Sequence, residues 1–281
     1  MIKSMLLIIS LSLAPLALSA QTFIPVSGTL IVAVPTREGI VIAADRRTFD
    51  SVRGDLDTTL KIRPIGQFLA ITSTGNATWM DASTLKIAYN AKDIAEEFFH
   101  EQLPVDGLPE DWEPLARRLL GRFKKYLADY PILSSDLQDP LFQMEIFHYD
   151  PRTKQATVHN LRILYNAPPG SPQWDVKPLS ADSGPIAFGN TLAYRELSDG
   201  HDPRFDHWRH DAAIVKLLDK PLPANRISKE DALRFCQQII RASAEMLPLI
   251  DHSDDHVGTA MDVALISKKG FVWLYRDQST P

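Results

Sequence analysis

The chain has 281 residues, 44% hydrophobic and 23% charged, so it can bury a sizeable core and is not disordered throughout. Its 30 Lys and Arg against 35 Asp and Glu leave a net charge of −5, which gives no support to nucleic-acid binding. A single cysteine, Cys236, excludes an internal disulfide, a zinc ribbon and an iron–sulfur site.

Residues 1–20, MIKSMLLIISLSLAPLALSA, begin with Lys3, continue as an apolar run and end in Ser19-Ala20. That is the three-part pattern of a secretory signal peptide cut after Ala20. The run from Met5 to Leu18 is broken by Pro15 and falls short of the roughly 20 residues a membrane span needs. The expectation is an exported protein, periplasmic or secreted, with no membrane attachment after the signal is lost.

Thr29–Pro35 reads as a buried strand, short, apolar and rich in β-branched residues, and Ile40–Ala44 returns as its hairpin partner. Lys61–Pro64 and Phe68–Thr72 suggest a second hairpin. Residues 77–102 suggest one helix, with Leu85, Ala88, Tyr89, Ile94, Phe98 and Phe99 along a stripe. A second helix opens near Pro114, a favourable first-turn residue, with Leu115, Leu119, Phe123 and Leu127 at four-residue spacing. Strands return at 141–148 and 155–164, and the proline-rich stretch 166–185 reads as a loop. Ser228 with Asp231 starts a helix running to about Ala244. Met261–Ser267 and Phe271–Tyr275 form a last hairpin. Grouped strands, helices, strands, helix and strands favour an α+β layered fold in one domain.

Most familiar site motifs are missing: no phosphate loop, no dinucleotide fingerprint and no Gly-x-Ser-x-Gly elbow. His100-Glu101 begins a zinc-protease motif, but Pro104 stands where its second histidine belongs. The acid- and histidine-rich segments 201–211 and 251–256 read as solvated charged turns rather than metal sites. The informative region is 28–77. Gly28-Thr29 opens the first strand, Asp45 ends the second, Lys61 opens the third and Gly75 follows the fourth.

Together, GTLIVAVPTREGIVIAADRR and the residues after it resemble the amino-terminal hairpin of proteasome β-subunits and their bacterial relatives, the N-terminal-nucleophile (Ntn) hydrolases. In that family a glycine precedes the nucleophilic threonine. An aspartate, a lysine and an oxyanion glycine follow at sixteen, thirty-two and forty-six residues. Thr29, Asp45, Lys61 and Gly75 stand at these spacings with no gap. Asp254-Asp255-His256-Val257-Gly258 resembles the family's Asp-x-x-Ser-Gly stretch, with Asp254 on the site aspartate and Val257 in place of the serine. Pro185–Asn190 resembles its Gly-Ser-Gly segment.

The resemblance implies a four-layer αββα sandwich of two antiparallel sheets. It divides the chain into signal peptide 1–20, short propeptide 21–28 and a single Ntn domain 29–281. Thr29 would be the nucleophile, masked until the Gly28–Thr29 bond is cut, and its freed α-amine the base. Lys61 would lower the proton affinity of that hydroxyl, supplying charge rather than packing, and Asp45 would keep Lys61 ionised. The Gly75 amide would stabilise the oxyanion, and Asp254 would orient the amine. Thr48, Thr59, Arg63, Ser73 and Ala77 fall where the family shapes its primary specificity pocket. The resemblance implies no cofactor and no metal, a peptide or small amide as substrate and a homo-oligomeric ring, and export to a compartment without ATP adds the expectation of ATP-independent action. An amidase or acylase acting on small molecules, or a catalytically silent assembly subunit, are the rival readings of the same pattern.

Overall fold

Residues 30–45 form a hairpin because nearly every side chain in it is apolar and both its faces are covered. Along Leu30–Pro35 (β2), Leu30, Val32 and Val34 point to one side and Ile31 and Ala33 to the other, and all five are fully buried. The computed structural model describes residues 23–26, 29–50, 54–56, 59–103, 108–128, 141–164, 174–179, 184–218, 222–251 and 257–277. The signal peptide, Ala20, Gly28 and Asp254 lie outside them.

In chain order the strands before the first helix are β1 (Phe23–Val26), β2, β3 (Gly39–Asp45), β4 (Thr48–Asp50), β5 (Gly54–Leu56), β6 (Arg63–Ile65), β7 (Leu69–Gly75), β8 (Thr78–Asp81) and β9 (Ile87–Asn90). Helices α1 (Ala91–Gln102) and α2 (Trp112–Ala128) come next, then β10 (Phe142–Asp150), β11 (Gln155–Ile163), β12 (Trp174–Leu179) and β13 (Ile186–Gly189). Helices α3 (Leu192–Asp199), α4 (Asp206–Arg209), α5 (Ala212–Leu218) and α6 (Lys229–Ile250) precede the closing hairpin of β14 (Met261–Ser267) and β15 (Gly270–Arg276).

Two five-stranded antiparallel sheets carry the architecture. One runs β13-β2-β3-β14-β15 and the other β12-β11-β10-β7-β6. A core layer between them joins Ile31, Ala33, Ile40 and Ile42 of the first sheet to Ala70, Phe147 and Val158 of the second. Outside the first sheet, α3, α5 and α6 pack on the other faces of β2, β3 and β14. Outside the second, α1 and α2 cover β7, β10 and β11 with Phe98, Phe99, Leu119 and Phe123. The result is the expected α+β sandwich, helices outside and two sheets within.

Local structure departs from the sequence reading in three places. The single helix expected over 77–102 is instead β8, a turn, β9 and then α1. The Asp81 carboxylate accepts from the amides of Ser83 and Thr84, folding a turn in which Leu85 takes a left-handed φ of 54°. Asn90 then starts the helix, its side chain accepting from the Lys92 amide at 3.0 Å. In the stretch expected to be a loop, Trp174–Leu179 pairs with β11 as an edge strand, the position where Pro178 is tolerated. Helix α6 begins at the expected Ser228 cap, with the Asp231 amide 3.1 Å from its hydroxyl. It runs on past Ala244 to Ile250, because Met246 and Leu247 keep its buried face going.

Candidate active site

Asp45 closes β3 with its side chain fully buried, and it gathers the site around itself. Its Oδ1 accepts from the Leu30 amide at 2.7 Å, the first amide after Thr29. Lys61 Nζ donates to Oδ1 at 2.9 Å and to Oδ2 at 3.0 Å, and the Arg47 and Gly258 amides reach Oδ2 at 3.1 and 3.3 Å. Burial drives the Asp45 pKa upward, while the Lys61 ammonium and these amides oppose that rise. Lys61, itself 2% exposed, therefore lies two hydrogen bonds from the backbone of the threonine strand.

Thr29 is half-buried at the mouth of this arrangement. Its carbonyl accepts from the Asn190 amide at 2.9 Å. Gly189 passes so close that a Cβ there would come within 2.2 Å of the same oxygen. The segment matched to the family's Gly-Ser-Gly stretch thus meets Thr29 as β13, antiparallel to β2. Gly75 ends β7 with φ +76°, and a Cβ on it would sit 3.1 Å from the Leu141 carbonyl. Only glycine turns there without strain. Val257, in place of the family serine, is 1% exposed and belongs to the apolar core over α6.

The residues expected to line the pocket are distributed as follows. Thr48 and Thr59 join hydroxyls at 2.9 Å, and Ser73 and Ala77 are buried on or just beyond β7. Arg63 faces α1, where its guanidinium is held by Asp93 and by Glu96 at 2.7 Å. Ahead of Thr29, β1 lies antiparallel to β8, Val26 opposite Thr78 and Phe23 opposite Asp81.

Two buried ionisable residues near these elements escape a motif search. Lys92 donates from Nζ to the Leu60 carbonyl at 3.0 Å. Glu145, fully buried on β10, accepts from Thr72 and Thr74 hydroxyls at 2.9 and 3.1 Å, and burial pushes its pKa up to about 7. The readable signal for Glu145 was one acid inside the apolar run FQMEIF; for Lys92 there was none.

No protein-family model matches the sequence, and no curated protein matches it significantly. Among solved structures, a mutant of Anbu from Hyphomicrobium sp. strain MC1 aligns with a TM-score of 0.52 at 13% identity. The alignment covers 90% of this chain and 89% of that one. The chain shares its fold with Anbu. Anbu is a bacterial protein of the proteasome-like Ntn fold. The likeness to Anbu is one of architecture, and at this identity it assigns no chemistry to individual residues.

Proposed function

We propose that this chain is an exported, self-processing threonine hydrolase that cuts peptide bonds without ATP. The observation that carries the reading is the buried Asp45 carboxylate, which holds both the catalytic lysine Lys61 and the amide following Thr29. A lysine fixed in this way, two hydrogen bonds from the backbone of the threonine strand, offers a positive charge that favours loss of the Thr29 hydroxyl proton. In the same scheme Gly75 supplies a backbone amide for the oxyanion.

Processing comes first. The Thr29 hydroxyl attacks the Gly28 carbonyl, its proton passes to the departing Thr29 nitrogen, and an ester joins Gly28 to Thr29. Water then opens the ester, leaving a carboxylate on Gly28 and a free α-amine on Thr29. That amine, with a reference pKa of roughly 7.7–8.0, becomes the base that serves the same hydroxyl in later turnovers. The leader strand β1 supports this order, because its pairing with β8 holds residues 23–26 extended, with Val26 opposite Thr78. In this scheme 1–20 is the signal, 21–28 the leader and 29–281 the enzyme, with Asp254 orienting the amine and a homo-oligomeric ring as the working assembly.

Intact mass and amino-terminal sequencing test the proposal. Mature wild type should begin Thr29-Leu30-Ile31, Thr29→Ala should stop at Gln21, and Thr29→Ser should still process. A folded wild-type protein that stays at Gln21 would overturn it.

A further inference from the structure

Three cationic side chains, Lys61, Arg63 and Lys92, meet where β6 approaches the start of α1. Two of them have acids of their own. Lys61 is held by Asp45, and Arg63 by Asp93 and Glu96. Lys92 differs. It is 6% exposed and donates to the Leu60 carbonyl, and among the described residues no carboxylate comes within ion-pair distance of it. A buried ammonium with one neutral partner is costly, and the adjacent helix start adds positive potential.

Its place matters as much as its charge. Leu60 is the residue between Thr59 and Lys61, and the α1 start is tied to Ala77 by the Ala91 amide, 2.9 Å from the Ala77 carbonyl. Lys92 thus bonds the residue that follows Thr59 and itself follows the residue bonded to Ala77, and Thr59 and Ala77 are two residues of the expected specificity pocket. Ser73 and Ala77, expected in the same pocket, carry small side chains. We propose that Lys92 is the specificity determinant of this pocket, pairing with an acidic side chain so that cleavage follows Glu or Asp. The inference rests on the peptidase reading and adds its substrate class.

The electrostatics agree. Burial, then the charges of Arg63 and Lys61, push Lys92 down to about 7, with only Asp93 acting in the other direction. The groups facing it are therefore Lys61 with its Asp45, Arg63 with its Glu96, and Asp93. An arriving carboxylate supplies the missing counter-charge, and it does so best below neutrality, where Lys92 is protonated.

Three fluorogenic peptides, identical except for Glu, Gln or Leu before the reporter, test this on the processed enzyme. Wild type should show a kcat/KM for Glu roughly tenfold above that for Gln or Leu. KM for the Glu peptide should rise several-fold from about pH 6 to about pH 8, while KM for the Leu peptide stays level. Lys92→Met should bring the Glu-to-Gln ratio close to one. The wild-type pH comparison stands by itself if that variant does not fold. Turnover of Gln and Leu peptides with no preference for Glu, or a level KM for Glu, would overturn the role of Lys92 and leave the peptidase reading intact. No turnover of any of the three by protein beginning at Thr29 would remove both.

Discussion

Asp45 and Lys61, sixteen residues apart in the chain, meet as a buried ion pair with Nζ 2.9 and 3.0 Å from the two carboxylate oxygens. From sequence alone Lys61 reads as a source of charge rather than packing. Burial of both partners changes that, because removing either one strands an opposite charge in the core.

Lys61→Ala should therefore abolish peptide turnover and also destabilise the protein, by about 3–5 kcal/mol. The double variant Asp45→Asn/Lys61→Met should regain much of that stability and none of the activity. Chemical denaturation beside a peptide assay checks both parts. A lone Lys61→Ala variant as stable as wild type would mean that the pair opens to water in solution.

Gly75→Ala should lower kcat by about 10²–10³ with a much smaller change in KM, because the amide proposed for the oxyanion moves when the turn is strained. The left-handed φ of +76° adds a stability cost of roughly 1–2 kcal/mol for a residue with a Cβ. Steady-state kinetics separate the two effects.

How far the site could be read in advance depended on what kind of constraint fixed each residue. The pairing of Lys61 with Asp45 was legible because both residues stand at the spacings of the family pattern, and the structure joins them as an ion pair. The strands 30–35 and 39–45 were legible as continuous apolar runs, which signal burial on both faces. The stretch 77–102 was misread because its apolar spacing suits a helix, while Asp81 and Asn90 divide it by side-chain bonds to backbone amides. Lys92 was invisible for a related reason, and Glu145 showed only as one acid within an apolar run. Each is buried by elements distant in sequence, and a single charged residue in a string says nothing about what will cover it.

A pair of histidines should make stability fall in acid. His148 and His159 join Nε2 atoms at 3.0 Å, and Trp112 stacks on both rings with centroids 4.7 and 4.3 Å away. Burial lowers His148 to about 4 and His159 to about 3, against an ordinary 6.5. Below pH 6.5 the unfolded chain takes up protons that the folded one refuses, so stability is full above 6.5 and is lost as pH falls toward 4. Melting temperature measured across that range should drop, and His159→Phe should flatten the slope.

Val257→Ser, which restores the serine of the family pattern, should not raise activity. Val257 packs in the core over α6, so a hydroxyl there is buried without its water partners, at a cost of about 1–3 kcal/mol. Parallel melting curves and peptide assays would reveal a lower melting temperature and no gain in turnover.

β8 has β9 on one side and β1 on the other, so in the uncut chain neither of its edges is open. A sheet edge will pair with any extended backbone that reaches it, wanted or not. Under the processing proposed above, removal of residues 21–28 bares that edge at the same moment as it frees the Thr29 amine. The newly made chain is then its own first guest: until it can cut, β8 has no edge on which to seat a foreign peptide. Appetite and teeth arrive together, and a precursor travelling among unfolded neighbours has no vacant edge at β8 to offer them.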